Sequence, residues 1–154
     1  SVNLNMLDEP TKLSYKLAQQ KQEDDIADYK YRLYNYPVNQ MFGAHSQVPS
    51  FLINMHQITD KSDAEAYISR LNGVNAMFDQ VIDGLKERET AGIVPPKFVF
   101  PRALESSKNI ITGTPFEPTK DQSTLLADFS GKLEKLDIPA EEKNTLLQTN
   151  LGNM

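Results

Sequence analysis

The chain has 154 residues, 39% of them apolar and 24% charged, which is the composition of one globular domain or a piece of one. Its net charge of −5 is spread over many segments, and no Lys/Arg run offers the stripe that neutralising nucleic-acid phosphates requires. The lack of cysteine excludes disulfides, thiolate zinc sites and a thiol nucleophile, and no apolar run approaches the roughly 20 residues of a membrane span.

No basic start followed by an apolar stretch marks an export signal, and the opening on Ser1 rather than Met suggests a processed or trimmed start. Residues 1–9 are too polar to pack and are expected to form a flexible tail, leaving 10–154 as one helical domain or a fragment of one. Pro10 suits a first helical turn, and the pattern from Thr11 to about Tyr34 reads as helix, with Leu13 and Leu17 on one face that Ile26, Tyr29 or Lys30, and Leu33 continue. Tyr15, Tyr29, Tyr31, Tyr34 and Tyr36 crowd this part of the chain; at helical spacing they read as core rim, ring buried and hydroxyl wet.

Pro37 ends that helix by disfavouring the helical conformation at Tyr36. The loop from Asn35 to His45 mixes apolar anchors with side-chain amides. It reads as structural, Met41 and Phe42 plugging the core, with a ligand-facing role for Tyr36, Asn39, Gln40 and His45 as the alternative. Pro49 should then open a short apolar helix, Ser50 to about Gln57. His45 and His56 lie eleven positions apart with no His-Glu-x-x-His pattern, so both read as hydrogen-bonded or half-exposed side chains rather than metal ligands. The carboxylate pairs Asp24-Asp25, Glu87/Glu89 and Glu141-Glu142 sit in charged surroundings and read as solvated faces.

The centre of the pattern is Ser62–Gly92, a helix of about 45 Å at roughly 1.5 Å per residue. Tyr67, Leu71, Val74, Phe78, Val81 and Leu85 form its stripe, Ser62 and Glu65 suit a capping box, and Gly92 suits the left-handed stop. Gly73 suggests a bend or a close backbone approach. Pro95 and Pro96 keep the next segment extended until a helix that holds Pro101 in its first turn and runs to about Ile110. Phe116 should anchor the turn-rich loop 112–118. Leu125, Leu126, Phe129, Leu133 and Leu136 mark another amphipathic helix, and Pro139 opens a last one with Leu146, Leu147 and Leu151. That helix stops at Met154 with no counterpart in view, as in a chain cut from something longer. The expected fold is all-α, an irregular bundle of five to six helices around one long central helix, and no residue present makes a complete catalytic or cofactor site.

Four stretches carry a resemblance. Asn35-Tyr36-Pro37-Val38-Asn39-Gln40-Met41-Phe42-Gly43, then Pro49-Ser50-Phe51-Leu52-Ile53-Asn54, Tyr67-Ile68-Ser69-Arg70-Leu71 and Gly92-Ile93-Val94-Pro95-Pro96-Lys97 occur in this order. From about Thr11 to Pro118 the chain resembles the N-terminal part of the bacterial family called domain of unknown function 885. The resemblance implies a longer, mostly helical protein, often exported to the periplasm or lipid-anchored, and similar to zinc metallopeptidases of the His-Glu-x-x-His type. That motif lies far C-terminal of the matched part, so no zinc ligand or catalytic glutamate carries over to any residue here. Zinc is then expected in the parent protein only. The implied partner is the rest of that protein, with self-association through the last helix as a further expectation; nucleic acid and a membrane span are not expected. A stand-alone helical binding or scaffold module is the alternative.

Overall fold

Six α-helices follow one another in the computed structural model, which describes residues 3–152, and the described residues hold no strand beyond two isolated bridges. The fold is all-α. The chain divides into two compact units, Ser1–Asn35 and Tyr36–Met154.

In the first unit a 3-10 turn, Leu4–Met6, is capped by the Asn3 side chain, and α1 spans Glu9–Asp28. Asp8 caps α1 by accepting from the Thr11 N–H at 2.9 Å, and Pro10 falls in the first turn, where its missing N–H costs nothing. The predicted stripe does not become a core: α1 buries no residue, and Leu13, Leu17 and Ile26 face solvent. Helix also ends earlier than Tyr34, in a 3-10 turn at Tyr29–Tyr31. The tyrosine rings there are exposed rather than half-buried. Each meets a neighbour at the surface, the Lys30 ammonium over Tyr31, the Arg32 guanidinium over Tyr29, and Tyr34 edge-on to Tyr31 at 5.8 Å.

The second unit holds α2 (Ala44–Asn54), α3 (Lys61–Thr90), α4 (Val99–Ile110), α5 (Thr124–Glu134) and α6 (Ala140–Gly152). α2 packs on α3, α4 and α5, while α6 packs on α5 and α3. The period-3.6 stripe of α5 is buried as its spacing predicts, Phe129 completely, against Tyr67, Ile68 and Leu71 of α3 and Leu52 of α2. A buried side chain of this size contributes about 1.5–3 kcal/mol, so these residues hold the unit together. The α3 stripe is buried only in its first half; Val74, Phe78, Val81 and Leu85 are half-buried.

Both ends of α3 show how local chemistry sets boundaries. The N-cap is Asp60, whose carboxylate accepts from the Asp63 N–H at 3.0 Å and from the Ser62 hydroxyl at 2.8 Å. Ser62 and Glu65 therefore lie inside the first turn rather than forming the cap. At the other end Gly92 takes φ +74°, and Gly92 N–H and Ile93 N–H donate to the carbonyls of Glu89 and Arg88, the double-bonded stop expected of a glycine just past a helix. Gly73 interrupts nothing: α3 runs through it, and apart from its chain neighbours and the helix's own backbone no heavy atom stands within 4 Å of where a Cβ would be. α2 begins six residues before the expected Ser50, so Pro49 sits inside the helix, and α4 places Pro101 in its first turn as expected. The last helix is not without a counterpart, since Leu146 is buried in the core, while Met154 lies outside the described residues.

Candidate functional site

Asn39 organises the loop that leads into α2. Its Oδ1 accepts from the N–H groups of Met41 (2.9 Å) and Phe42 (3.1 Å), its Nδ2 donates to the Tyr36 carbonyl (3.1 Å), and its own N–H donates to the Phe42 carbonyl. This is an Asx-type turn, and it closes a one-bridge hairpin between Val38 and Gly43. Gly43 has φ +150°, and a Cβ there would stand 2.6 Å from the Pro37 carbonyl oxygen, so only glycine fits the close approach. Met41 and Phe42 are carried outward, 75% and 55% exposed, and do not plug the core. Gln40 is exposed at the tip.

The four candidate residues of this loop do not converge. Asn39 is consumed by the turn, Gln40 faces solvent, Tyr36 lies along an external groove, and His45 turns inward, 5% exposed, to line a separate cavity. Burial pushes the His45 pKa down from the ordinary 6.5.

His56 belongs to a buried polar cluster between α2, α3 and α5 that sequence spacing does not reveal. Arg70 can only donate, so His56 Nδ1 accepts from its guanidinium, and the ring proton therefore sits on Nε2, bonded to the Asp63 carbonyl at 3.0 Å. The His56 ring meets Tyr67 edge-on at 5.2 Å, and Tyr67 in turn packs on Phe129. Below them the Lys132 ammonium donates to the carbonyls of Leu52 (2.8 Å) and Ile53 (2.9 Å) and to Asp128 Oδ2 (2.8 Å). A cation thus satisfies the free carbonyl end of α2, where the helix dipole is negative. Burial first, then the Asp128 charge, push the Tyr67 pKa up; the carboxylate is close enough to act on the hydroxyl but misses hydrogen-bond geometry.

This cluster does not suit a metal. Both His56 nitrogens are engaged, and among the described residues no group of three or more His, Cys, Asp or Glu could hold an ion. The described residues of this cluster therefore do not fit zinc.

A groove of about 390 Å³ lies between the second half of α3, the extended segment after Gly92, and α4. Val99 and Ala103 form its buried floor, and Tyr36, Ile82, Val94 and Leu104 its walls. Two prolines, Pro37 and Pro95, hold its extended edges. The walls are apolar yet open: Leu104 is 58% and Val94 51% exposed. Lys86, Arg88 and Glu89 ring the mouth. Such a surface binds chiefly by apolar burial, with Lys86 and Glu89 as charged members of its lining. Sequence reasoning missed it because Ile82 and Leu104 lie off the main stripes, and only packing brings them opposite Tyr36.

The model of a family described as bacterial protein of unknown function (DUF885) matches residues 1–151. No curated protein and no solved structure matches the chain.

Proposed function

This chain belongs to the bacterial DUF885 family of proteins of unknown function, and on that premise we propose that it is a non-catalytic helical segment of a zinc-metallopeptidase-like protein, exported or lipid-anchored in the periplasm. In this reading the apolar groove on α3 and α4 is one wall of a substrate cleft, and the zinc, its ligands and the base come from sequence outside these residues. The observation that carries the reading is the groove itself, an apolar surface left open beside half-buried Val81 and Leu85. The engaged state of His56 agrees with a supporting rather than a reacting role.

The test uses the full-length gene product, with bound zinc measured by elemental analysis and hydrolysis followed on apolar peptides. Stoichiometric zinc and peptidase activity are expected, and Leu104→Arg, an exposed position, should lower kcat/KM at least about tenfold, or ~1.4 kcal/mol, without changing zinc content. A product with neither zinc nor activity, or an indifferent Leu104→Arg variant, refutes the reading. The same open groove also suits a stand-alone module docking an amphipathic helix of a partner; a reading frame that stops at Met154 favours that second reading.

A further inference from the structure

Apart from the groove and the polar cluster, the start of α2, the middle of α3, the end of α4 and the start of α5 leave a cavity of about 310 Å³ between them. Val74, Phe78, Ile110 and Leu125 wall it, and Ile111 and Phe116 stand at its mouth. None of the residues lining it is Asp, Glu, Lys or Arg. An ion entering would therefore shed water with no countercharge in reach, which excludes charged ligands.

Three polar side chains interrupt the apolar wall, Asn75, Ser107 and His45, and of these only His45 is buried. His45 lines the cavity and is 5% exposed, and its Nδ1 is buried with no hydrogen-bond partner in the chain. Nδ1 lies on the Gly43 side, 2.9 Å from where a Cβ there would stand, so the ring turns its other edge, with Nε2, away from the loop. A neutral imidazole carries a single N–H. A sealed, unpaired N–H is costly, about 1–3 kcal/mol, so the proton belongs on Nε2 and makes that edge a donor. Burial lowers the His45 pKa and keeps the ring neutral at pH 7. Ser107, half-buried, already donates to the Ala103 carbonyl at 2.8 Å, and Asn75 is exposed to water, which leaves His45 as the buried donor a ligand would meet. An apolar cavity of about 150 Å³ takes benzene, and this one is larger, with room for a substituted ring.

We propose that this cavity is a binding site for a small uncharged ring compound bearing one oxygen acceptor, its ring held among Val74, Phe78 and Ile110 and its oxygen hydrogen-bonded to His45 Nε2. The site shares only Ser107 of its lining with the groove, and its existence does not depend on the cleft reading.

Benzyl alcohol and ethylbenzene, equal in size and shape, are the probes, titrated into the full chain with ligand-observed NMR and with ¹⁵N detection of the imidazole. Benzyl alcohol should bind saturably and move the His45 Nε2 resonance, and ethylbenzene should bind without that shift. His45→Phe should change the ratio of the two affinities by about fivefold against the alcohol, the worth of one hydrogen bond. Ile111→Trp, at an exposed position on the mouth, should abolish both and leaves the core untouched, so the result stands even if His45→Phe does not fold. No saturable binding, as for a cavity that holds only water, overturns the proposal. So do an Nε2 resonance indifferent to the alcohol, an unchanged affinity ratio in His45→Phe, or undiminished binding in Ile111→Trp.

Discussion

Lys132→Met is the sharpest test of the buried cluster. Methionine keeps the apolar stem but removes the ammonium, and with it three donated hydrogen bonds at 2.8–2.9 Å. The carbonyls of Leu52 and Ile53 lose their partner at the end of α2, and the Asp128 carboxylate, 15% exposed, is left as an uncompensated buried charge. Removing one member of a buried pair costs about 3–5 kcal/mol. The residual exposure of Asp128 lets some water in, so the low end, about 3 kcal/mol, is expected. For a chain of this size that lowers Tm by about 6–12 °C. Urea denaturation followed by circular dichroism should show the shifted midpoint with an unchanged slope. The companion variant Asp128→Asn discharges the orphaned carboxylate, so the double variant should cost less than the sum of the singles by about 1–3 kcal/mol. A loss below about 1 kcal/mol for Lys132→Met, or strict additivity, would show that the ammonium is solvated and the cluster is not a unit.

Phe129→Ala should cost about 3–5 kcal/mol and Phe78→Ala less than half of that, because Phe129 is completely buried and Phe78 is not; equal urea midpoints would contradict the core assignment. Gly43→Ala should destabilise by more than about 2 kcal/mol, since the new Cβ meets the Pro37 carbonyl at a φ that L-residues avoid, and a neutral effect in the same melts would mean the Val38–Gly43 hairpin is not closed. Tyr67→Phe removes a buried hydroxyl without a hydrogen-bond partner and should change stability by under about 0.5 kcal/mol; a larger loss would show that Asp128 accepts from it. His45 has its folded pKa below 6.5, so its contribution is fully present above that pH and is lost as pH falls toward the folded value. Wild type minus His45→Phe stability, measured from pH 8 to 5, should therefore be flat above about 6.5 and decline below it; a difference that is constant throughout would place the imidazole in water.

Periodicity carried the fold where one face of a helix does one job. The α5 stripe is buried because every fourth or third residue meets the same neighbours, and that is written in spacing alone. α3 misleads because its two halves face different surroundings: Tyr67 and Leu71 pack on α5, while farther along Ile82 turns to the groove and Leu85 is only half-buried. Boundaries failed where competing signals of equal local merit lay two residues apart. Asp60 and Ser62 are both good caps, and Asp60 wins because its carboxylate takes the Asp63 N–H and the Ser62 hydroxyl together. Pro49 was expected to open α2 because proline favours first turns, yet the hairpin closed by Asn39 delivers Gly43 as an earlier start.

The site was less accessible from sequence for a physical reason: its residues take their roles from long-range partners rather than from neighbours. His45 and Tyr36 sit in one motif, nine positions apart, yet Gly43 and Asn39 reverse the chain between them and send one inward and the other to an external groove. His56 reads from sequence as hydrogen-bonded or half-exposed, and its partner stays hidden there because its acceptor role depends on Arg70, fourteen residues away on the next helix. Lys132 is a single charge on an amphipathic helix, and no local rule predicts that it will reach the carbonyls of residues about eighty positions earlier. A cation placed at a helix C-terminus is a general device, but which helix it serves is decided only when α2 and α5 meet. That dependence also explains why the cluster should respond as a unit to substitution: Lys132 finds Asp128 within α5, but its other two acceptors, Leu52 and Ile53, belong to α2.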